Sequence, residues 1–441
     1  MSISLPDSAF HHLPAPGRVL LDPVQGGGFH DYLMLIPSAA CPAECAYCFG
    51  PHVDEAMMSR ETLEAVVAWQ RTLRGGSYGC GAAEPADSEE SVLNVAFHGG
   101  EPLVPGIAFY RMALPLLREG LAPRRVRFSI QSNLWLLTDE LAGLLCEYGV
   151  RVGTSLDGPE AINDAQRGRG YFSRTMAGIE RARAHGLRVG VICTLTAQSA
   201  PHAGEIFDFF LEAGLDFSIH AALPSLRHPE VDYWQVTPEA HGELLVTLLD
   251  RYIEESAQIR IGTLDSMVQS VSAGRGGICT FTDCLGGYLA VGPDGAIYPC
   301  QRFVGMEEYR LGEVKALPGM AELRASPVWR QFQARQQAVE NECADCAYLA
   351  FCRGGCPYNA AVYGHLEKRD PHCTAYRRLF AHITERALAE VFAPDNIDAI
   401  VCGSDKEYGL LRRGRLLSLM REGRHPSDAG ACAVAQGARR G

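Results

Sequence analysis

Apolar and polar positions follow two alternating periods along the first half of the chain. Residues 31–37 form a short apolar run of strand length, and residues 58–73 carry apolar side chains three or four positions apart, as on a helix. The same order repeats, with predicted strands at 92–98, 126–131, 151–155, 188–195 and 216–221 and predicted helices at 107–118, 138–148, 174–185 and 202–213. Repeated strand-helix units predict an α/β domain with a parallel sheet and helices outside it.

About six such units are present, fewer than the eight that close a full barrel. Thr237 and Pro238 supply a cap and a first-turn proline for a further helix that runs to about residue 257. We interpret its leucines as packing residues, namely Leu244, Leu245, Leu248 and Leu249. A Gly-rich segment at 273–277 indicates a boundary.

The pattern divides the chain into four parts. Residues 1–30 are an irregular lead-in, residues 31–258 the α/β domain, residues 259–380 a smaller Cys-rich domain, and residues 381–441 a helix followed by a flexible tail. Within the α/β domain, residues 75–91 are rich in Gly, Ala, Ser and acidic side chains, which predicts a mobile surface insertion. We assign no chemistry to the tail, nor to Cys80, Cys402 and Cys432.

Composition limits the classes of function. The chain has 441 residues, 47% of them apolar, enough for a large core. A net charge of −12 argues against a nucleic-acid surface. No apolar run is long enough to span a membrane, and Pro and His interrupt residues 1–17 where a signal peptide needs apolar residues. We therefore expect a cytoplasmic protein without membrane partners, whose sixteen Cys favour metal ligation over disulfides.

Three thiols lie close together in Cys41-Pro-Ala-Glu-Cys45-Ala-Tyr-Cys48. A structural zinc site needs four ligands, and an ordinary iron-sulfur cluster needs four thiolates. No other Cys or His is near until Cys80, so a metal centre held here has one position open for a small molecule. The alternative is a structural zinc loop or a set of buried thiols.

Polar residues follow three predicted strands. They are the segments His98-Gly99-Gly100-Glu101, Gln131-Ser132-Asn133 and Ser155-Leu156-Asp157. Side chains at the carboxyl ends of such strands point into the mouth of the barrel, where ligands of these folds bind.

Eight further Cys form groups in the last third of the chain. These are Cys279, Cys284, Cys300, Cys343, Cys346, Cys352, Cys356 and Cys373. Eight thiols suffice for two four-thiolate clusters or for two zinc ribbons, and the spacing alone does not decide between them.

The first Cys loop, including Tyr47 before its last Cys, resembles the signature of radical S-adenosylmethionine (SAM) enzymes. The resemblance implies an open (β/α)6 barrel, with Cys41, Cys45 and Cys48 holding a catalytic [4Fe-4S] cluster whose open iron chelates SAM. The SAM-binding residues it implies are Tyr47, Gly99, Gly100, Glu101 and Ser155. Gln131 and Asn133 are expected to join them because they follow the third strand at the mouth of the barrel. Arg167 is the candidate partner of the SAM carboxylate, the alternative being an exposed Arg in the Gly-rich turn 167–170.

The C-terminal Cys pattern resembles the SPASM domain of radical SAM maturases, which holds two auxiliary [4Fe-4S] clusters. By that resemblance one cluster lies on Cys279, Cys284, Cys300 and Cys356, and the other on Cys343, Cys346, Cys352 and Cys373. The chain would then bind three [4Fe-4S] clusters and SAM.

The resemblance implies reductive cleavage of SAM to a 5′-deoxyadenosyl radical that takes hydrogen from a peptide or protein substrate. The expected product is a thioether or carbon-carbon crosslink. The alternative is formylglycine formation by an anaerobic sulfatase-maturing enzyme. In that branch an Asp base follows the Cys that matches Cys300, but here the residue is Gln301, whose amide does not accept a proton as a carboxylate does. An alternative of another class is a non-catalytic iron-sulfur electron-transfer protein.

The expected partners follow from the same chemistry. They are a peptide or protein substrate and an external one-electron reductant of the flavodoxin or ferredoxin type. About forty residues precede Cys41, too few for a fused winged-helix peptide-recognition domain. A leader peptide would therefore be recognised by a separate protein or by the mouth of the barrel.

Overall fold

The structure is a computed structural model that describes residues 32–50, 56–73, 92–227, 233–255, 258–274, 276–282 and 284–391. The predicted lead-in at 1–30, the insertion at 75–91 and the tail beyond residue 391 lie outside these residues. Cys80, Cys402 and Cys432 lie outside them as well.

Strands and helices alternate through the first half of the described chain. The elements are β1 (Tyr32–Ser38), α1 (Arg60–Thr72), β2 (Val92–Gly99), α2 (Gly106–Gly120), β3 (Arg125–Gln131), α3 (Asp139–Glu147), β4 (Arg151–Ser155), α4 (Glu160–Arg167), α5 (Tyr171–Ala184), β5 (Val189–Leu195), α6 (Ala203–Glu212) and β6 (Phe217–Ala221). Strands β1 to β6 pair in sequence order and all in parallel. This confirms the predicted parallel α/β architecture.

The period-2 pattern of β2 shows how the sheet is packed. Leu93, Val95 and Phe97 are buried, whereas the residues between them are half-buried. The ring of Phe97 packs against Phe128 of β3 and against two aromatic residues of α2. Because these contacts join β2 to α2, the core lies between the sheet and its helices. Each such side chain stabilises the fold by about 1.5–3 kcal/mol when it is buried. The alternate face, which includes His98, is turned to the other side of the sheet.

Helix α4 was not predicted from the sequence. It lies between Pro159 and Gly168, where Gly168 has a φ of 99°, a left-handed conformation that ends the helix without strain. Three of its buried residues are polar, namely Asn163, Gln166 and Arg167. Because the buried face is polar, the apolar periodicity that reveals other helices is missing.

The second half of the described chain is mostly helical. Its elements are α7 (Pro238–Glu255), α8 (Gly262–Ala273), β7 (Tyr288–Val291), β8 (Ala296–Tyr298), β9 (Gly312–Glu313), α9 (Met320–Ala325), α10 (Pro327–Glu342), α11 (Leu349–Cys352), α12 (Pro357–Val362) and α13 (Cys373–Val391). Short 3₁₀ helices lie at Ala200–His202, Cys279–Phe281, Gln301–Phe303, Glu307–Tyr309 and Val314–Ala316. The leucines of α7 are buried, as predicted, and α7 packs against α13.

The two halves share one sheet. Strand β7 pairs in parallel with β1, and β8 and β9 continue the sheet in antiparallel fashion, giving nine strands in the order β6-β5-β4-β3-β2-β1-β7-β8-β9. Tyr32 and Tyr288 are opposite each other at this junction, with ring centroids 5.0 Å apart. No helix of the described residues has both the length and the apolar character needed to cross a membrane.

Candidate active site

The first Cys loop lies at the carboxyl end of β1 and lines a cavity of about 460 Å³. Cys41, Cys45 and Cys48 all face this cavity, together with Tyr47. The other wall comes from the segment after β6 and the residues before α7, namely Leu223, Pro224, Ser225, Trp234 and Gln235. The three thiols are therefore brought to one open space large enough for a small molecule.

Each of the three sulfur atoms has at least one N–H donor of the protein within hydrogen-bond distance. The amide of Ala43 and the side-chain amide of Asn133 lie 3.5 and 3.8 Å from Cys41 Sγ. Arg167 Nη1 lies 3.9 Å from Cys45 Sγ, and the Gly50 amide lies 3.4 Å from Cys48 Sγ. Hydrogen bonds to the sulfur ligands are one of the factors that set the potential of an iron-sulfur centre.

Gly99 and Gly100, at the end of β2, allow a close approach to the start of the Cys loop. A Cβ atom on Gly99, whose φ is 138°, would lie 2.4 Å from the Ser38 carbonyl oxygen. The backbone amides of Gly100 and Glu101 donate to the carbonyls of Ser38 and Ala40 at 3.2 and 2.8 Å. The two glycines therefore join the end of β2 to the residues that lead into Cys41.

Glu101 is 1% exposed, and its carboxylate is held by three donors. Leu103 N and Ser132 Oγ donate to Oε1 at 2.9 and 2.7 Å, and Asn133 N donates to Oε2 at 2.8 Å. Burial raises the pKa of this carboxyl to about 7, although the hydrogen bonds act in the opposite direction. Glu101 thus fixes the segment after β3 and, through Asn133, the surroundings of Cys41.

Gln131 and Ser155 lie side by side at the ends of β3 and β4. Gln131 Nε2 donates to Ser155 Oγ at 3.1 Å, and the Gln131 side chain covers Gly153, where a Cβ would lie 2.2 Å from it. The expected SAM-binding residues at these strand ends are therefore neighbours. Their proposed contacts with SAM stay a prediction.

Arg167 is not an exposed turn residue. It ends α4, is 6% exposed and forms an ion pair with Asp157, which is 0% exposed. Its Nε and Nη2 atoms donate to the two oxygens of Asp157, each at 2.8 Å. The turn interpretation failed because the partner lies ten residues earlier, just after β4.

Burial favours the protonated form of two thiols of the loop, Cys41 and Cys45, when no metal is bound. It raises the pKa of Cys41 to about 12 and that of Cys45 to about 11, with the charge of Arg167 acting in the opposite direction at Cys45. Iron binding requires the thiolate form and would displace these protons.

One group of four C-terminal thiols lines a second, small cavity. Cys343, Cys346, Cys352 and Cys373 all face it, together with Asp370 and Tyr376. These are the four residues that the SPASM resemblance assigns to one cluster. Their sequence spacing alone did not predict that grouping.

The other four thiols lie within electrostatic reach of one another. Burial raises the pKa of Cys284, and the charges of Cys356, Cys279 and Cys300 raise it further. Asp370 lies between the two groups, because its Oδ2 accepts from the Cys356 amide at 2.9 Å and its carbonyl accepts from the Cys373 amide at 3.0 Å.

The donor sets fit iron-sulfur clusters. Within the described residues, no three Cys, His, Asp or Glu side chains converge closely enough to hold a single metal ion. A four-iron cluster is larger than an ion, so the thiolates that bind it stand further apart. Three thiols at an open cavity and two groups of four match the expected numbers of ligands.

Sequence reasoning missed three residues of the site. Asp157 belongs to the predicted strand-end segment 155–157, but the sequence predicts no function for its side chain. In the structure that side chain accepts five hydrogen bonds. Trp234 is 7% exposed and lines the cavity from a segment without a motif. The guanidinium of Arg302 packs on the rings of both Phe49 and Tyr358, with its carbon 5.0 and 5.1 Å from their centroids. Only long-range contacts reveal the positions of Trp234 and Arg302.

Comparison with known proteins gives two family matches and several relatives. Residues 35–210 match the radical SAM superfamily, and residues 279–347 match the SPASM iron-sulfur cluster-binding domain. An uncharacterized protein of Methanothermobacter thermautotrophicus is 45% identical over 245 residues, which are 56% of this chain and 88% of that protein. The serine-type anaerobic sulfatase-maturating enzyme of Klebsiella aerogenes is 26% identical over 389 residues, covering 86% of this chain and 88% of the relative.

A solved structure has the same fold. Native anSMEcpe with bound AdoMet and the Cp18Cys peptide superimposes with a TM-score of 0.69 at 24% identity, over 80% of this chain and 97% of that chain. The open parallel barrel, the two family matches and these relatives agree with one another. The chain belongs to the radical SAM superfamily of enzymes and carries a SPASM iron-sulfur cluster-binding domain.

Proposed function

We propose that this enzyme modifies a peptide substrate by installing a thioether or carbon-carbon crosslink. When bound to Cys41, Cys45 and Cys48, a reduced [4Fe-4S] cluster and SAM would supply a radical that takes hydrogen from an unactivated carbon. The two C-terminal groups of four thiols would bind two auxiliary clusters, which suits a reaction that removes electrons from its substrate.

The residues around the cavity support this role. Glu101, Asn133 and the glycines before Glu101 hold the first part of the Cys loop in place. Gln131 and Ser155 offer hydrogen-bonding groups at the neighbouring strand ends, where SAM would lie. Trp234 supplies an apolar wall opposite the thiols, with an indole N–H that has no hydrogen-bond partner among the described residues. Such a wall can exclude water from a radical.

Gln301 is the observation that favours a crosslink. It follows Cys300, the position at which the formylglycine-forming branch carries its Asp base. Residues near it include Arg302, whose side chain packs on Phe49 of the first Cys loop. An amide at this point does not take up the proton of a substrate thiol or hydroxyl. Among the described residues that line the cavity, Glu44 is the one with a carboxylate side chain. It is an exposed residue of the Cys loop itself.

Formylglycine formation is the second candidate. It is supported by the relation to the serine-type sulfatase-maturating enzyme, which extends over both domains. The structure of anSMEcpe, which has the same fold, contains bound AdoMet and the Cp18Cys peptide. A peptide partner is common to both candidates.

The test uses the full chain, reconstituted anaerobically with iron and sulfide and supplied with SAM and a one-electron reductant. Formation of 5′-deoxyadenosine would establish radical chemistry, and its absence would contradict both candidates. Peptides encoded beside this gene are then added. A loss of two hydrogens with one thiol masked against alkylation supports a crosslink. An aldehyde that reacts with hydrazine supports formylglycine and contradicts the first proposal.

A natural reductant is proposed as a partner, and a leader peptide is proposed to bind either a separate recognition protein or this chain. We expect a flavodoxin or ferredoxin to replace a chemical reductant in the same assay. We expect a leader peptide to bind a separate protein or the mouth of the barrel, which pull-down with the candidate peptide would distinguish.

A further inference from the structure

The Cys loop is attached to the barrel at two separate points. Its beginning is held by the backbone of Gly100 and Glu101. Its middle is held by α4 and by the end of β4. There, the Ala46 amide donates to the Gln166 carbonyl at 2.9 Å, and the Tyr47 hydroxyl donates to Asp157 Oδ2 at 2.6 Å.

Asp157 is the centre of the second attachment. Its Oδ2 accepts from Tyr47, from Gln166 Nε2 at 2.8 Å and from Arg167 Nε at 2.8 Å. Its Oδ1 accepts from Arg167 Nη2 at 2.8 Å and from the Thr194 amide at 2.9 Å. This carboxylate therefore joins the Cys loop, α4 and β5 through a fully hydrogen-bonded, buried charge.

The donors of Arg167 are directed at protein groups. Nε and Nη2 form the two bonds to Asp157, and Nη1 lies 3.4 Å from the Tyr171 hydroxyl and 3.9 Å from Cys45 Sγ. The guanidinium also stacks on Tyr47, with 5.3 Å between its carbon and the ring centroid. Four of its five N–H groups thus have acceptors within the protein, and Arg167 is not among the residues that line the cavity of the Cys loop.

We propose that Arg167 is a positioning residue, which together with Asp157 and Tyr47 fixes the middle of the Cys loop and directs positive charge at the Cys45 sulfur. Its role would then differ from the SAM-carboxylate contact expected from the sequence. The inference rests on the proposed function only in requiring a cluster on Cys41, Cys45 and Cys48.

The proposal predicts the same loss of iron retention in Arg167→Gln and Asp157→Asn. Both variants should lose the iron of this cluster to a chelator at least threefold faster than the wild type. Arg167→Gln should also shift the reduction potential of this cluster to more negative values, because a nearby cation favours the reduced, more negative form. The SAM dissociation constant of the cluster-loaded fraction should change less than threefold in either variant.

The two residues give opposite predictions if Arg167 instead binds SAM. Arg167→Gln would then raise the SAM dissociation constant tenfold or more, whereas Asp157→Asn would free the guanidinium and leave SAM binding unchanged or tighter. That combination would overturn the proposal, as would wild-type iron retention in both variants. Equilibrium dialysis measures SAM binding, and a redox titration followed by electron paramagnetic resonance identifies this cluster by its change on adding SAM.

Two further variants serve as controls, one for the loss of any arginine and one for the loss of the fold. Arg169→Gln removes an exposed arginine two residues away and should match the wild type in every readout. Tyr47→Phe removes a single hydrogen bond without removing charge, so it keeps the fold and should accelerate iron loss to a smaller extent than Asp157→Asn. If Tyr47→Phe retains iron as the wild type does, the attachment through Asp157 is refuted. Failure of the wild type to form 5′-deoxyadenosine contradicts the proposed function and leaves these readouts intact.

Discussion

Gly100 lies so close to Ala39 that a Cβ atom built on the glycine would be 2.1 Å from the Ala39 carbonyl oxygen. No side chain fits at that distance. The contact brings the carboxyl end of β2 against the residues that enter the Cys loop.

Gly100→Ala should displace the start of the Cys loop, because the clash involves backbone atoms that cannot rotate away. We expect the variant to retain about four iron atoms fewer per chain after reconstitution, the content of one cluster. Gly143→Ala is the matched control, since a Cβ there meets nothing within 4 Å. Gly143 lies within α3, so its replacement should stabilise the protein by about 0.5–1 kcal/mol. Full iron content in Gly100→Ala would show that the close approach is not required.

Glu101→Gln should weaken the attachment of Asn133. All three groups around the carboxylate donate hydrogen bonds, so an amide NH₂ would face at least one of them. An unsatisfied buried donor costs about 1–3 kcal/mol, and the loss should appear in chemical denaturation. Because burial raises the folded-state pKa from 4.5 to about 7, this group makes stability fall as pH rises from 4.5 to about 7, and the variant should lose this dependence. Glu44→Gln, at an exposed site, is the control.

His241 should make stability depend on pH. Burial, together with the charge of the neighbouring His372, lowers its pKa to about 3. Between pH 6.5 and 3 the unfolded chain takes up a proton that the folded chain does not. The contribution of His241 to the free energy of unfolding is therefore fully present above pH 6.5. Below that pH it falls by about 1.4 kcal/mol per pH unit.

Thermal unfolding of the cluster-loaded protein between about pH 7.5 and about pH 5 would measure this slope. His241→Gln should reduce the slope relative to the wild type. His202→Gln, at an exposed position, should leave it unchanged. Equal slopes in all three proteins would exclude His241 as the cause.

The proposed division of the eight C-terminal thiols predicts independent losses of iron. Cys343→Ala and Cys373→Ala should each lose about four iron atoms per chain, and the double variant should lose no more than either alone. Cys343→Ala combined with Cys284→Ala should lose about eight. Cys193→Ala is the control, because this buried thiol on β5 belongs to neither group. Additive loss in the first pair would contradict the division.

Much of the barrel could be predicted from local patterns. Strand β4 was predicted with the observed bounds, and most other bounds differ by one to three residues. Local patterns suffice here because apolar residues recur every second position in strands and every three or four positions in helices. Helix α4 was missed because its buried residues are polar and satisfied by distant partners, as with Arg167 and Asp157. The pairing of β7 with β1 was also missed, since it joins residues about 250 positions apart and has no local signal.

The candidate site also contains both features that the local sequence reveals and features that only the fold reveals. The Cys motifs and the glycines near Glu101 are local, so their chemistry can be recognised from the sequence alone. The second attachment of the Cys loop depends on contacts across roughly 110 residues, between Tyr47 and Asp157. Side chains that act through such contacts are identified only by the fold that brings them together.

The parallel pairing of β1 with β7 limits how this protein can be divided. Removing the C-terminal half would uncover the backbone N–H and C=O groups along one side of β1, the strand that leads directly into Cys41. An uncovered strand edge readily pairs with other molecules and promotes aggregation. A truncated barrel would therefore be a poor substitute for the whole enzyme, even for studying SAM cleavage alone.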